Sequence, residues 1–497
     1  MATETTAAKN NHATIRELDP SGLWSHFADL NEVPRASKNE GRVIEFVKQF
    51  GEGLGLETLV NSVGNVVIRK PASPGMEDRI PVVLQSHLDM VHQKNSDVEF
   101  DFDTQGIEMI LDGDWISANG TTLGADNGIG VAAIMAVLSS SEIEHPPLEA
   151  LFTIDEETGM TGAKGLQGGL LQGKILLNLD TEDDNELTIG CAGGVDITAR
   201  HQYLPEATPA GSAGFRISVT GLAGGHSGMQ INEGLGNANK IMNRLLWIGS
   251  AEFEMHIVEI DGGGLRNAIP RESFATVVVN SDQADDFKAW LDSQSDTILF
   301  EYATTDPDGK IEYEALEHPP ENIIPPKLQK YLLGTIYAVH SGIHRMSPDI
   351  PDLVQTSNNL ARVLVKDGAI QIGCLTRSSV NSERDDMANS ISAVLSLTGA
   401  TIETSGDYPG WKPVPDSTIV KLMSALYEEM FNEKPHVAAC HAGLECGILG
   451  TNYPDMEMIS FGPNIRGAHS PDERVQVSSV QKFWKFYLET LRRIPAQ

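Results

Sequence analysis

The chain has 497 residues and a mass of 53.8 kDa, well past the roughly 250–300 residues at which one core stops growing, so two domains are expected. With 69 Asp plus Glu against 36 Lys plus Arg, the net charge of -33 argues against a nucleic-acid backbone or an anionic membrane surface as partner and favours cations and cationic substrates. Four cysteines without a CxxC pair suit a reducing compartment rather than a disulfide scaffold.

The opening stretch MATETTAAKNNHATIREL has no apolar segment of the kind a signal peptide carries. The best apolar run, Ile129 to Leu138, is ten residues long and holds a glycine, short of the roughly 18 residues of a membrane span. A cytoplasmic protein is expected. Most of the acidic surplus reads as solvating surface.

From Gly22 to Gly55 apolar residues recur at helical spacing, and strand-like alternation follows around Val60 to Ile68. RIPVVLQSHLDMV reads as a buried strand whose C-terminal edge carries His87 and Asp89. GADNGIGVAAIMAVLSS is a glycine-punctuated turn into an apolar helix. LEALFTID and KILLNLDTED are the next strands. The alternation predicts an α/β domain with a mostly parallel sheet flanked by helices. In such sheets ligands bind beyond the carboxyl ends of the strands, so His87, Asp89, Glu156, Glu157 and Asp180 are expected on one rim.

From about Gly194 the composition changes. A helix from Gly234 to Leu246, strands FEMHIVEID and SFATVVVN and a further helix precede the proline-rich link HPPENIIPP. A similar order recurs with a helix near Gln329 to Val339, strands Val354 to Val365 and Ala369 to Arg377, and a helix from Met387. The expectation is an inserted α+β lid domain of two similar halves over 194–406. Segments 1–193 and 407–497, the latter holding MEMISFG and a helix from Val477 to Leu491, would form the catalytic domain together.

His87 and Asp89 lie two apart in a strand and share a face, so one can ligate a metal while the other orients it. Alone, that spacing more often marks a structural or solvated pair than a metal site. Asp126, between glycines that let the backbone bend sharply, fits either a bridging aspartate or the N-cap of the following helix. Glu156 and Glu157 point oppositely if strand geometry persists, which suggests one ligand and one general base.

SHLDMV, TTLGADNGIG, FTIDEETGMTGA, LLNLDTED, GGHSG and GPNIRGAHSPDERV together resemble the dinuclear zinc peptidases related to aminoacylase and carnosinase, most closely the bacterial aminoacyl-histidine (Xaa-His) dipeptidases. The resemblance runs from about Pro20 through nearly the whole chain. It implies that His87 ligates one metal, that Asp126 bridges both, that Glu157 and Asp180 ligate one each, and that His469 completes the second site. It also implies that Asp89 orients His87, that Glu156 is the general base and that the Asp126–Asn127 peptide is cis. His226 resembles a lid histidine facing the developing oxyanion. Arg377 could hold a dipeptide carboxylate in bidentate fashion, with Asn267 nearby; Arg266 and Arg345 are its rivals.

The His, Asp and Glu set without thiolate suits two zinc ions, with cobalt or manganese able to use the same ligands. Such a pair would activate a bridging hydroxide for attack on the scissile carbonyl. The expected function is hydrolysis of Xaa-His and related dipeptides such as carnosine by a cytosolic metallopeptidase, with no nucleic-acid or membrane partner and room for a homodimer. An aminoacylase-like amide hydrolase with the same metals is the first rival. A metal-holding binding protein is the second, disfavoured because a binder needs no Glu156. The remaining histidines, His441 among them, read as surface or packing residues. HAGLECGIL, with Glu445, also resembles the dipeptidase branch, without an assignable role.

Overall fold

Strands buried along their whole length need cover on both faces, and the computed structural model, which describes residues 12–497, places three of them at the centre of a sheet. Every residue of Val82–His87, Leu148–Thr153 and Ile175–Asn178 is buried. These three and Glu457–Ser460 run parallel, in the order Leu148–Thr153, Val82–His87, Ile175–Asn178, Glu457–Ser460. The hairpin Glu57–Val60 and Val66–Lys70 adds two strands on one side, with Val66–Lys70 paired antiparallel to Leu148–Thr153. Glu186–Cys191 and His436–Cys440 complete eight on the other. The helix Ala125–Ser139 is buried along nearly its full length, as its apolar composition on every face requires.

The chain forms two compact units, the first made of Met1–Gly190, Pro413–Ala439 and Leu444–Gln497, the second of Cys191–Lys412 and Cys440–Gly443. In the first unit a small four-stranded sheet joins Met109–Asp112 and Trp115–Ala118 to Ile465–Arg466 and Arg474–Gln476. The last two strands form a hairpin, and its tip, 467–473, carries His469.

The second unit is wider than 194–406. Cys191 and Trp411 exchange two backbone hydrogen bonds of 2.9 Å, and the Ala192 N–H donates to the carbonyls of Cys440 and Ala442 at 3.1 and 3.0 Å. Its antiparallel sheet runs Lys310–Ala315, Ser212–Thr220, Ser273–Asn280, His256–Gly263, Val354–Lys366, Ala369–Ser378, Gly193–Gln202, Thr401–Tyr408, with Gly342–Met346 beside Val354–Lys366. From either edge inward the strand roles match. Ser212–Thr220 corresponds to Gly193–Gln202, and the helices Ala238–Glu252 and Ala284–Glu301 correspond to Pro326–Ala338 and Asn381–Ser396. The halves are not contiguous, since Gly193–Gln202 precedes the first half in sequence and pairs within the second.

Phe287 anchors the core of this unit. It is fully buried, with ring centroids 5.2 Å from Phe215, 5.3 Å from Phe253 and 5.6 Å from Trp290. Phe287→Ala is expected to cost about 3–5 kcal/mol, read as a lower urea midpoint in the unfolding transition that Trp290 fluorescence reports.

Candidate active site

Three parallel strands end side by side, and each delivers acidic or imidazole groups to the same edge. His87 closes Val82–His87, Glu156 and Glu157 follow Leu148–Thr153, and Asp180 follows Ile175–Asn178. Asp126 arrives from the turn that opens the long helix. There Asp126 and Asn127 have non-helical torsions and the peptide between them is cis, as the resemblance implied.

His87 Nε2 lies 3.1 Å from Asp126 Oδ1 and 3.4 Å from Asp180 Oδ1. The other Asp126 oxygen, Oδ2, lies 3.2 Å from His469 Nε2, which is also 3.0 Å from Glu157 Oε2. One carboxylate therefore faces two histidine and carboxylate sets. His87, Asp126 and Asp180 form one group able to hold a metal, Asp126, Glu157 and His469 a second, and His87, Glu156 and Glu157 a third, with ligand atoms within 4.8 Å inside each group. His469 reaches its position in the left-handed backbone region, at φ 65°, which a non-glycine residue adopts only when its surroundings impose it.

Behind His87, Asp89 Oδ1 is 3.4 Å from Nδ1. Asp89 is completely buried and accepts from the N–H groups of Glu156 and Glu157 at 3.0 and 3.3 Å and from Ser37 Oγ at 2.8 Å. Burial alone would raise its pKa, but the His87 interaction and these donors outweigh burial and hold it down at about 2. The Asp89 carboxylate thus links the histidine strand to the peptide bearing both glutamates.

Elsewhere burial wins. It pushes Glu156 well up, against the opposing pull of His87, and raises Glu157 and Asp180 as well. Asp126 goes the other way, since hydrogen bonds from His469 and His87 overcome its burial. His469 is pushed up to about 11 by its hydrogen bonds to Asp126 and Glu157.

A divalent cation fits both sets. Glu157 Oε1 is buried without any hydrogen-bond partner, a costly state for a carboxylate oxygen that a cation relieves. The donors are imidazole nitrogens and carboxylate oxygens with no thiolate, a combination suited to zinc and its neighbours.

The residues expected to bind substrate belong to the second unit. His226 pairs with Ala268 in a short ladder, and the Asn267 carbonyl accepts from the Ser227 N–H at 2.8 Å; Asn267 itself is exposed. Arg377 is buried at 5 % exposure, donates from Nη1 to Tyr408 Oη at 2.6 Å and leaves Nε without a partner. Its rivals are committed elsewhere. Arg266 donates to the carbonyls of Ile197 and Cys374 and to Thr198 Oγ1, and Arg345 is paired with Glu383.

Three titratable residues, two in the first unit and one in the second, receive no role from the sequence. Glu445 is fully buried, accepts from Gln85 Nε2 at 2.7 Å and Thr153 Oγ1 at 2.6 Å, and is pushed up to about 7, chiefly by burial. Burial and the nearby Asp126 and Asp180 push Glu182 up to about 8. His441 is no surface residue. It is 6 % exposed, lies 2.8 Å from Ser357 Oγ, and burial together with Arg377 brings it down to about 3.

The profile of Peptidase family M20/M25/M40 matches residues 83–493. The chain is 41% identical to the Cytosol non-specific dipeptidase of Escherichia coli strain K12 over 483 residues, covering 97% of this chain and 99% of that protein. The crystal structure of an aminoacylhistidine dipeptidase from Vibrio alginolyticus matches with TM-score 0.92 and 41% identity, over 97% of this chain and 98% of that one. The aminopeptidase PepT of Bacillus cereus shares the fold, with TM-score 0.56 and 15% identity over 96% and 99% of the two chains.

Because Asp89 is lowered from 3.8 to about 2 on folding, its stabilising contribution is present above about pH 4 and disappears as pH falls through 2. Asp89→Asn is therefore expected to lower stability at neutral pH, with the gap to the parent closing between pH 4 and pH 2 in urea titrations. The same change should weaken metal binding by about 10–100-fold in equilibrium dialysis.

Proposed function

Because the chain belongs to Peptidase family M20/M25/M40, we propose that it is a metal-dependent dipeptidase that cleaves Xaa-His and related dipeptides, carnosine among them, in the cytosol. The observation that carries this reading is Asp126, whose two oxygens face His87 and His469 separately at 3.1 and 3.2 Å. The names of the Escherichia coli and Vibrio relatives support the substrate class. Among the described residues no helix is long and apolar enough to cross a membrane.

Two divalent cations, zinc by the donor chemistry, would be held by His87, Asp126 and Asp180 on one side and by Asp126, Glu157 and His469 on the other. Cations so placed supply Lewis acidity to the scissile carbonyl and to the attacking water. Glu156 takes the proton from that water and returns it to the leaving amine. Its raised pKa, caused by burial and the neighbouring acids, makes the carboxylate a stronger base than an exposed glutamate. Asp89 keeps His87 in the tautomer and orientation that presents Nε2 toward Asp126 and Asp180.

In the second unit, Arg377 offers an unpaired Nε beside its Tyr408-bound Nη1, which suits a fork onto a dipeptide carboxylate. His226 would face the carbonyl oxygen as charge develops on it, and Asn267 would help hold the substrate. His226 is lowered by burial and by Arg377, so its neutral imidazole is favoured.

A panel of β-alanyl-histidine, other dipeptides and N-acetyl amino acids, assayed with and without chelator, tests the reading. Dipeptides are expected to be cleaved, N-acetyl amino acids spared and chelator to abolish turnover; preference for N-acetyl amino acids would indicate the aminoacylase-like chemistry instead. Glu156→Gln should lower kcat by about 10²–10⁴-fold with metal content intact, and unchanged turnover in that variant overturns the assigned base.

A further inference from the structure

The turn that delivers Asp126 is not held by its own helix. Leu123 and Gly124 precede the helix and Ala125 and Asp126 are its first two residues, so the N–H groups of residues 123–126 find no partner within it, and Gly124 at the N-cap has no side chain to supply one. All four are taken by one distant carboxylate. Glu473 Oε2 accepts from Leu123 and Gly124 at 2.8 and 2.9 Å, and Oε1 accepts from Ala125 and Asp126 at 2.7 and 3.2 Å.

Glu473 lies four residues after His469 on the tip of the hairpin between Ile465–Arg466 and Arg474–Gln476. Tight turns join the two, the Ser470 N–H donating to Gly467 O at 3.2 Å and the Glu473 N–H to Ser470 O at 3.1 Å. One side chain thus fixes the backbone of Asp126 and, through a short rigid loop, the position of His469.

The opposite side of the same turn is held by a cation. Arg35 is buried at 1 % exposure; Nη2 donates to Gly124 O at 2.6 Å, and Nη1 to the carbonyls of Leu88 and Asp89 at 3.3 Å each. A Cβ on Gly124 or Gly128 would sit 2.4 or 2.7 Å from this guanidinium, so the glycines flanking Asp126 make room for Arg35. Bonds from N–H to an ionised carboxylate are short and roughly twice as strong as neutral ones, and here four converge where misplacement of the shared ligand would affect both metal sets.

We infer that Glu473 is a positioning residue of the metal centre, which sets the separation of Asp126 and His469 by binding the four N–H groups of residues 123–126, with Arg35 as its counterpart on the carbonyl side. The inference rests on the two-metal reading above and goes beyond it, since Glu473 ligates nothing. A purely structural cap would stabilise the fold and leave metal occupancy unchanged. A positioning residue acts on the ion shared by Asp126, Glu157 and His469.

Glu473→Gln tests this, because glutamine keeps the size but turns one acceptor into an NH₂ group facing N–H donors. Zinc uptake by parent and variant is followed by equilibrium dialysis with metal analysis, together with amide hydrogen exchange of residues 123–126. Expected are two ions per parent chain, an affinity for the second ion about 10–100-fold weaker in the variant, faster exchange at those amides, lower kcat at unchanged KM, and recovery of activity with excess zinc. Glu473→Asp should fall between the two and reports if the glutamine variant does not fold; the exposed neighbouring change Asp472→Asn should alter nothing. Two ions bound by Glu473→Gln with parental affinity overturn the inference while leaving the dipeptidase reading intact. Failure of the parent itself to bind two ions overturns the two-metal reading and this inference with it.

Discussion

The first unit is organised around a repulsion. Asp126, Glu156, Glu157 and Asp180 meet at one strand edge, largely removed from water, and carboxylates cannot share a low-dielectric site as anions unless positive charge lies between them. Among the described residues the cluster holds two imidazoles, His87 and His469, and Glu157 Oε1 has no donor. The parallel sheet imposes the crowding by ending adjacent strands in register, with His87 opposite Thr153 and Gln85 opposite both Leu151 and Asn178. The acids are brought together by the backbone, and cations are the natural resolution of the charge.

A site that concentrates charge so tightly needs its backbone fixed from outside. Each inner residue has a support that touches the main chain. Asp89 binds the N–H groups of Glu156 and Glu157. Asn127 Nδ2 donates to the carbonyl of Leu179 at 2.6 Å and to Asp180 Oδ1. Arg35 and Glu473 grip the two polarities of the turn before Asp126. Gly130 belongs to the same scheme, since a Cβ there would lie 2.5 Å from Ser86 Oγ and Asn127 Oδ1. The glycines of this stretch are demanded by neighbours pressed against the chain as much as by torsion angles.

What the sequence discloses follows from periodicity and motif, and what it hides follows from tertiary contact. Strand-end acids are legible because the largely apolar runs VVLQSH, LEALFT and ILLN are each followed within a few residues by acids. Ser273–Asn280 and the start of the final helix at Val477 coincide with the sequence reading for the same reason. Arg35 sits in the polar loop PRASKNE and Glu473 at the end of the motif GPNIRGAHSPDERV, where nothing local marks either charge as buried; that burial depends on backbone groups far away in the chain. The hairpin Met109–Asp112 with Trp115–Ala118 is similarly silent, being short and completed by strands more than three hundred residues later. Cys440–Gly443 joins the second unit through two hydrogen bonds to the Ala192 N–H, which no local pattern signals.

The second unit shows how identical side chains acquire different uses. Arg266 and Arg377 both meet the strand Ala369–Ser378, one by reaching it and the other as part of it. Arg266 lies so close to Gly373 that a Cβ there would be 2.5 Å from Nη1, and its donors are consumed by two backbone carbonyls and Thr198. It fills a structural role because its hydrogen-bonding capacity is largely spent. Arg377 gives one donor to Tyr408 and keeps Nε buried and unmatched. A guanidinium has five donors in a fixed plane, and burying part of that capacity without protein acceptors is costly unless another anion completes it. The unsatisfied donor, rather than the identity of the residue, is what separates Arg377 from Arg266.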